Sequence, residues 1–190
     1  MMSKICVVYY SGYGHTAKLA QSILAGARQV STQVQECRID AEGQLSDAEW
    51  QALGEADAII YGSPTYMGGP AWQFKKFADA SSKPWFSQLW KDKIAAGFTN
   101  SASTNGDKYA TLQYLWTLSQ QHGQIWVGTG LMPSNALAHG PENVNWTAGF
   151  GGLMAISPSD ASVEQAPRSG DLETARLFGA RIAEVAKRLR

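Results

Sequence analysis

KICVVYYSGYGHT, residues 4–16, is the stretch that decides the fold. Residues 4–10 show no polar alternation, which is typical of a strand buried on both faces of a parallel sheet. Residues 17–27 then repeat apolar side chains at helical spacing. The first N–H groups of a helix have no partner within it, and the helix dipole favours negative charge there. The strand, turn and helix therefore predict an anion site at the turn.

The turn itself excludes two common nucleotide motifs. A P-loop requires a Gly-Lys pair, and a dinucleotide fingerprint requires a third glycine where Ala17 stands. What remains is hydroxyls and glycines with no Lys or Arg before Lys18, which favours one phosphate held by neutral donors. An ordinary strand-to-helix turn stays open as the alternative. The candidate phosphate-binding residues are Ser11, Gly12, Tyr13, Gly14, His15 and Thr16.

The sequence VVYYSGYGHTAKLA resembles the phosphate loop of the flavodoxin-like family, most of all that of the WrbA-type NAD(P)H:quinone oxidoreductases. The resemblance implies FMN as cofactor, NADPH or NADH as co-substrate, and a quinone-like small molecule as electron acceptor. It also implies that Tyr13 contacts the nicotinamide.

Strands and helices alternate along the rest of the chain. Residues 32–39, 56–61 and 93–99 predict three more strands, with helices between them, and the second of these stretches is apolar without alternation. Residues 125–127 begin a fifth strand that resumes at 153–156, so residues 128–152 form a long insertion within it. We expect an α/β fold in one flavodoxin-like domain, residues 1–190. Its five-stranded parallel sheet has the order 2-1-3-4-5 and helices on both faces, closed by a helix over 171–190.

Residues 62–70, GSPTYMGGP, follow the third strand and predict a shaped loop, because three glycines and two prolines disfavour helix and central strand. Ligands of open α/β sheets bind at this end of the strands. The family has GxPTRFGN here, a loop that lines the flavin ring. The resemblance carries that role onto Pro64, Thr65, Tyr66 and Met67, with Tyr66 standing where the family has Arg.

Residues 100–107 follow the fourth strand and predict a third loop of small and polar residues. The family has STGTGGG here, whose backbone and hydroxyls surround FMN. The resemblance adds these cofactor-binding candidates: Asn100, Ser101, Ala102, Ser103, Thr104 and Asn105. In the order 2-1-3-4-5, the loops after strands one, three and four meet at one edge of the sheet.

Two further residues receive roles from the resemblance alone. Trp85 matches a family tryptophan near the flavin, sometimes supplied across a subunit interface, and is a candidate substrate contact. His122 matches a histidine placed at the flavin, and is the candidate catalytic residue as well as a cofactor contact. Without the resemblance, a lone histidine before Gly123 is more typical of a helix end.

Composition limits the class of protein. The chain has 16 Lys plus Arg and 16 Asp plus Glu, so its charge gives no reason to expect nucleic acid or an anionic membrane as partner. No apolar run approaches the ~20 residues of a membrane span, and the first residues predict a strand and not a leader peptide. Cys6 and Cys37 lie in predicted strands without a CxxC pair, which indicates buried free thiols in a cytoplasmic protein. No metal cluster is predicted, and a homodimer or homotetramer is expected.

The sequence thus predicts an FMN-dependent oxidoreductase that moves two electrons from NAD(P)H to a quinone or similar flat acceptor. Two alternatives stay open. A flavodoxin-type electron carrier usually docks through an acidic surface, whereas this chain is neutral. A WrbA-like binding or regulatory protein with weak flavin binding is kept open by the departures at Tyr66, Met67 and Gly69. A signalling receiver domain is excluded, because the first strand does not end in acidic residues.

Overall fold

Strands and helices alternate through residues 2–189, the part of the chain that the computed structural model describes. The strands are β1 (Ile5–Tyr9), β2 (Val34–Arg38), β3 (Ala58–Tyr66), β4 (Gly69–Pro70), β5 (Ile94–Ser101), β6 (Ile125–Trp126) and β7 (Leu153–Ile156). The helices are α1 (His15–Arg28), α2 (Asp47–Glu55), α3 (Trp72–Ala80), α4 (Ser82–Phe86), α5 (Lys108–Gln121) and α6 (Ser169–Arg188). The predicted closing helix extends to Arg190, which lies outside the described residues.

The sheet has the order β2-β1-β3-β5-β6, and each of these neighbours is parallel. β6 pairs with the start of β5, where Ile94 lies opposite Ile125. β7 pairs in parallel with the end of β5, where Phe98 lies opposite Leu153. β6 and β7 are therefore two halves of a fifth strand divided by the long insertion. The predicted α/β fold class with strand order 2-1-3-4-5 is confirmed.

Side chains of β1 alternate between two apolar layers. Ile5 and Val7 pack with α1 and α6 on one face of the sheet, while Cys6 and Val8 pack with α2, α3 and α5 on the other. Such continuous burial of both faces explains why β1 shows no polar alternation.

Helices α1 and α6 touch through their backbones. A Cβ added at Gly26 of α1 would lie 1.8 Å from the carbonyl oxygen of Arg176. A Cβ added at Gly179 of α6 would lie 2.0 Å from the carbonyl oxygen of Ile23. Only glycine fits at these two crossing points.

The end of β3 departs from the prediction. Residues 62–66, expected to be loop, continue the strand, and Pro64 pairs with Asn100 of β5. Proline is tolerated because β1 ends at Tyr9, opposite Gly62, so Pro64 lies beyond the end of the strand on that side. A tight turn then leads into β4, with Met67 at φ 47°. Asn100 likewise belongs to β5 and not to the loop that follows it.

Local predictions elsewhere agree with the structure. Ser46 and Glu49 form the predicted capping box at the start of α2, since each accepts from the backbone N–H of the other. Cys6 and Cys37 are buried free thiols, as expected. Among the described residues, no helix combines the length and apolar character that crossing a membrane requires.

Candidate functional site

A cleft of about 530 Å³ opens at the carboxyl ends of β1, β3 and β5. This volume lies within the range of ~300–1,000 Å³ that is usual for small-molecule and cofactor sites. The predicted site residues that line it are Tyr13, His15, Thr16, Pro64, Thr65, Tyr66, Asn100, Ser101 and Ala102. The three predicted segments therefore meet at one edge of the sheet, where the strand order places them.

The turn before α1 supplies uncharged donors to one end of the cleft. Gly14 caps the helix at φ 92°, and the hydroxyl of Ser11 accepts from the N–H of Ala17 at 3.1 Å. The N–H groups of His15 and Thr16 lie in the first turn and have no acceptor within the helix. None of the described residues that line the cleft is Lys or Arg. Amides at the positive end of a helix dipole suit a phosphate group.

Two glycines keep this turn close to its neighbours. A Cβ at Gly14 would lie 2.8 Å from Cγ2 of Val163, at a φ that L side chains rarely adopt. A Cβ at Gly12 would lie 2.7 Å from the phenol oxygen of Tyr66. The chain therefore leaves the cradle open by using glycine where a side chain would fill it, and this fits a bound phosphate.

Two tyrosines form an aromatic wall beside the turn. The ring centroids of Tyr13 and Tyr66 are 6.2 Å apart at an interplanar angle of 74°. Tyr13 is largely exposed, so its ring is available to a ligand. Burial, with the nearby phenols of Tyr10 and Tyr13, raises the pKa of Tyr66 to about 12. Tyr66 therefore stays a neutral hydrogen-bond donor at neutral pH.

Buried hydroxyls hold the opposite wall in place. Oγ1 of Thr65 lies 2.8 Å from Oγ1 of Thr99 and 2.7 Å from Oγ1 of Thr111, which joins β3, β5 and α5. Ser157 donates to the side-chain oxygen of Asn100 at 2.9 Å. These bonds fix the strand ends without charge, so the wall is preorganised for a ligand.

Sequence reasoning gave no role to the segment 157–163. The structure places six of its residues along the cleft beside the phosphate turn. Nε2 of His15 lies 3.1 Å from the carbonyl oxygen of Ala161, and Lys18 donates to the carbonyl of Val163 at 2.5 Å. A usable signal existed: β7 ends at Ile156, so the next residues must emerge at the ligand edge.

Several predicted site residues do not line the cleft. Ser11, Gly12 and Gly14 belong to the turn before α1 but are not among the residues that line the cleft. Met67 is fully exposed at the tip of the β3–β4 turn. Three more predicted cofactor-binding residues are exposed in the loop that follows β5 and do not line the cleft: Ser103, Thr104 and Asn105.

The structure places His122, the predicted catalytic and cofactor-binding residue, away from the cleft of its own chain. Helix α5 runs from the carboxyl edge of the sheet back to the amino edge, so its last residue faces away from the cleft. His122 is buried there, with Nε2 2.9 Å from Oγ of Ser81 and its ring centroid 4.4 Å from that of Trp90. Burial lowers the pKa of His122 to about 4, so the imidazole is neutral at neutral pH.

Trp85 also lies away from the cleft of its own chain. It belongs to α4 and pairs with Phe86, at 4.9 Å between ring centroids. The segment that contains α4 leads directly to the amino end of β5, opposite the cleft. A substrate contact from Trp85 within one chain is therefore contradicted, and only a contact across subunits stays a prediction.

The buried histidine predicts a loss of stability in mild acid. The pKa of His122 is about 4 in the folded protein, below the unfolded value of 6.5. The contribution of the neutral imidazole to the free energy of unfolding is therefore present above pH 6.5 and is lost as the pH falls towards 4. A shift of this size corresponds to about 3 kcal/mol. Urea unfolding at pH 7 and pH 4.5 should show this extra loss in the wild type compared with His122→Gln. Equal losses in both proteins would contradict the account.

A parallel sheet of this order, with a cleft at its carboxyl edge and a glycine-containing turn between β1 and α1, defines a flavodoxin-like α/β protein. Residues 11–137 match the family model described as NADPH-dependent FMN reductase. The chain is 48% identical over 188 residues, 99% of each chain, to a protein named Flavodoxin FldP from Pseudomonas aeruginosa.

Solved structures agree with this match. A flavodoxin, WrbA-like protein from Agrobacterium tumefaciens is 51% identical, with a TM-score of 0.80 and 99% of each chain covered. Oxidised Flavodoxin 1 from Bacillus cereus, at 21% identity and a TM-score of 0.64 over 96% of this chain and 98% of its own, shares the fold. The chain belongs to the NADPH-dependent FMN reductase family, and its predicted resemblance to flavodoxin-like and WrbA-type proteins is confirmed.

Proposed function

We propose that this protein is an FMN-dependent oxidoreductase that transfers two electrons from NAD(P)H to a quinone or a similar flat acceptor. The observation that carries the proposal is the pairing of two features in one cleft. Uncharged donors at the start of α1 suit a phosphate, and the Tyr13–Tyr66 wall next to them suits a flat ring. Family membership and the flavodoxin named among its relatives support FMN as the cofactor.

Each residue of the cleft has a defined task in this proposal. The amides of His15 and Thr16, with the Thr16 hydroxyl, bind the phosphate of FMN. Asn100, Ser101 and Ala102 form the wall that orients the rest of the cofactor. FMN supplies the redox chemistry, accepting a hydride and passing on two electrons, which protein side chains cannot do.

The aromatic wall receives the co-substrates. Tyr13 is largely exposed beside the cleft, so a nicotinamide and then a quinone can stack there in turn. Tyr66 holds its phenolic proton, because its pKa is raised, and can donate a hydrogen bond to a carbonyl oxygen of the acceptor. With His122 at the other edge of the sheet, His15 supplies the imidazole among the described residues that line the cleft.

The experiment is a pair of anaerobic half-reactions. The purified protein is saturated with FMN, mixed with NADPH or NADH, and then mixed with benzoquinone while its visible absorption is followed. The proposal expects rapid bleaching by the nicotinamide and recovery of colour with the quinone, repeated over many turnovers. Colour that persists with both NADPH and NADH would contradict it.

A flavodoxin-type electron carrier is the second candidate, because a relative at 48% identity is named a flavodoxin. A carrier needs a protein donor, whereas the oxidoreductase takes electrons from NAD(P)H directly. FMN-loaded protein that is reduced only when a flavoprotein reductase is added would favour the carrier. A protein that does not take up FMN would favour the third reading, a WrbA-like binding or regulatory role.

We also propose a homodimer or homotetramer as the working assembly. Trp85, Phe86 and Leu89 place exposed apolar side chains around α4, where a second copy would bury them. Light scattering that gives the mass of a single chain at micromolar concentration would contradict this.

A further inference from the structure

The first residue of α5 is a lysine with a buried side chain. Lys108 is 1% exposed. Its ammonium donates to Oγ of Ser101 at 2.9 Å and to the carbonyl oxygens of Ser103 at 2.6 Å and Thr104 at 2.8 Å. An ammonium has three N–H donors, so all of them have acceptors. The cleft residues and the sequence motifs leave this buried cation without a role.

The loop after β5 is wound around that ammonium. Gly106 has φ 55°, and a Cβ there would lie 2.2 Å from Oγ of Ser101. Asp107 follows at φ 51°, which turns the chain into α5. Ser101 lines the cleft with its neighbours Asn100 and Ala102, whereas Lys108 does not. Lys108 therefore reaches the cleft through Ser101 and not by direct contact.

Lys108 also places a positive charge behind this wall. Burial lowers the pKa of Lys108 to about 8, against the opposing effect of Asp171, so the ammonium keeps most of its charge at neutral pH. Asp171 is buried on α6, where its carboxylate accepts from the N–H of Ile156 at 2.9 Å. Burial raises the pKa of Asp171 to about 6, so its carboxylate is also mostly charged at neutral pH and offsets part of the positive charge of Lys108. None of the described residues that line the cleft is Lys or Arg, so the wall in front of this buried pair is neutral.

We propose that Lys108 is a positioning residue that holds the Asn100–Ala102 wall in shape and biases the cleft towards the reduced flavin. The inference rests on the proposed function, in which FMN occupies the cleft. A reduced flavin carries more negative charge than an oxidised one, and a buried charge acts over several ångströms because the surroundings screen it weakly. Lys108 thus sets the redox potential of the site without touching the cofactor.

Three variants separate the charge from the hydrogen bonds. Lys108→Met removes both, Lys108→Gln keeps two N–H donors without charge, and Lys108→Arg keeps the charge on a larger, planar group with a different donor geometry. Flavin-fluorescence titration measures the affinity for oxidised FMN, and dye equilibration measures the two-electron potential. Lys108→Met should weaken binding of reduced FMN about tenfold more than binding of oxidised FMN, which lowers the potential by about 30 mV. Lys108→Gln should show the same shift of the potential with a smaller loss of affinity for oxidised FMN. Lys108→Arg, which keeps the charge, should keep the potential near the wild-type value.

A second readout needs no cofactor. Proteolysis of the FMN-free protein within residues 102–107 should be faster in Lys108→Met than in the wild type and slow again in Lys108→Arg. Proteolysis thus tests whether Lys108 holds the loop in place, while the redox potential tests the effect of its charge.

The outcomes for the Lys108 variants decide whether the lysine tunes the redox potential. Potentials that stay at the wild-type value in the Met and Gln variants would overturn it, even if FMN binds more weakly, because the lysine would then be only structural. Variants that all fail to fold would overturn it as well, since Lys108 would be required by the fold itself. Failure of the wild-type protein to bind FMN would instead refute the proposed function.

Discussion

Replacing Thr16 with glutamate is expected to weaken FMN binding at least about a thousandfold while leaving the protein folded. Thr16 lines the cleft in the first turn of α1, so the added carboxylate enters the space assigned to the phosphate. Two like charges in contact cost several kcal/mol, and ~4 kcal/mol is a factor of a thousand. A carboxylate in the first turn of a helix otherwise stabilises it, because it complements the helix dipole.

The control is Thr16→Ser, which keeps the hydroxyl and removes only a methyl group. Its affinity for FMN in a fluorescence titration should stay within about tenfold of the wild type, since hydrogen bonds to charged groups contribute ~1.5–3 kcal/mol and this one is retained. Urea unfolding of both variants in the absence of FMN checks the fold. Unchanged affinity in Thr16→Glu would show that the phosphate binds elsewhere.

Gly179→Ala is expected to destabilise the protein by about 3 kcal/mol, near the upper end of the usual cost of overpacking. The added Cβ would lie 2.0 Å from the carbonyl oxygen of Ile23, which is backbone and cannot rotate away. Helices α1 and α6 must separate to admit it. The midpoint of thermal unfolding should fall by roughly 6–12 °C in a chain of this length.

Gly54→Ala is the matched control within another helix. Its new Cβ would meet only the flexible end of Leu89, at 3.2 Å. Because alanine is favoured over glycine in helices by ~1 kcal/mol, this variant should be neutral or slightly more stable. Urea unfolding of both variants gives the comparison. A Gly179→Ala protein as stable as Gly54→Ala would contradict the close backbone contact of α1 and α6.

Much of the site was predictable because its parts are local. Strand β1, the turn and α1 are contiguous, and their apolar runs and glycines predict the strand, the turn and the helix start without help from distant residues. The order of the strands then brings residues 64–66 and 100–102 to the same edge. The length of β3 was harder to predict from the sequence, since Pro64 is tolerated in the strand only because the neighbouring strand β1 ends before it.

His122 shows how topology limits a resemblance. A helix that follows a parallel strand returns to the amino edge of the sheet, so a residue at its end cannot reach a cleft at the carboxyl edge. That argument needs only the order of elements and excludes His122 from the cleft. The motif match alone pointed to the opposite conclusion.

Lys108 and the segment 157–163 depend on contacts that no local pattern encodes. A lysine in the first turn of a helix normally faces solvent, and its burial here comes from carbonyls of the preceding loop, with Asp171 of α6 nearby. The segment 157–163 reaches the phosphate turn through contacts to residues about 145 positions earlier in the chain. Neither feature follows from hydrophobic periodicity.

A crystal structure of the protein grown with FMN tests the central claim most directly. We expect one FMN in the cleft, with its phosphate oxygens about 2.7–3.2 Å from the backbone nitrogens of His15 and Thr16. Its ring should lie in the cleft between Tyr66 on one wall and Asn100 on the opposite wall. FMN bound at any other place, or a phosphate that avoids the start of α1, would contradict the account.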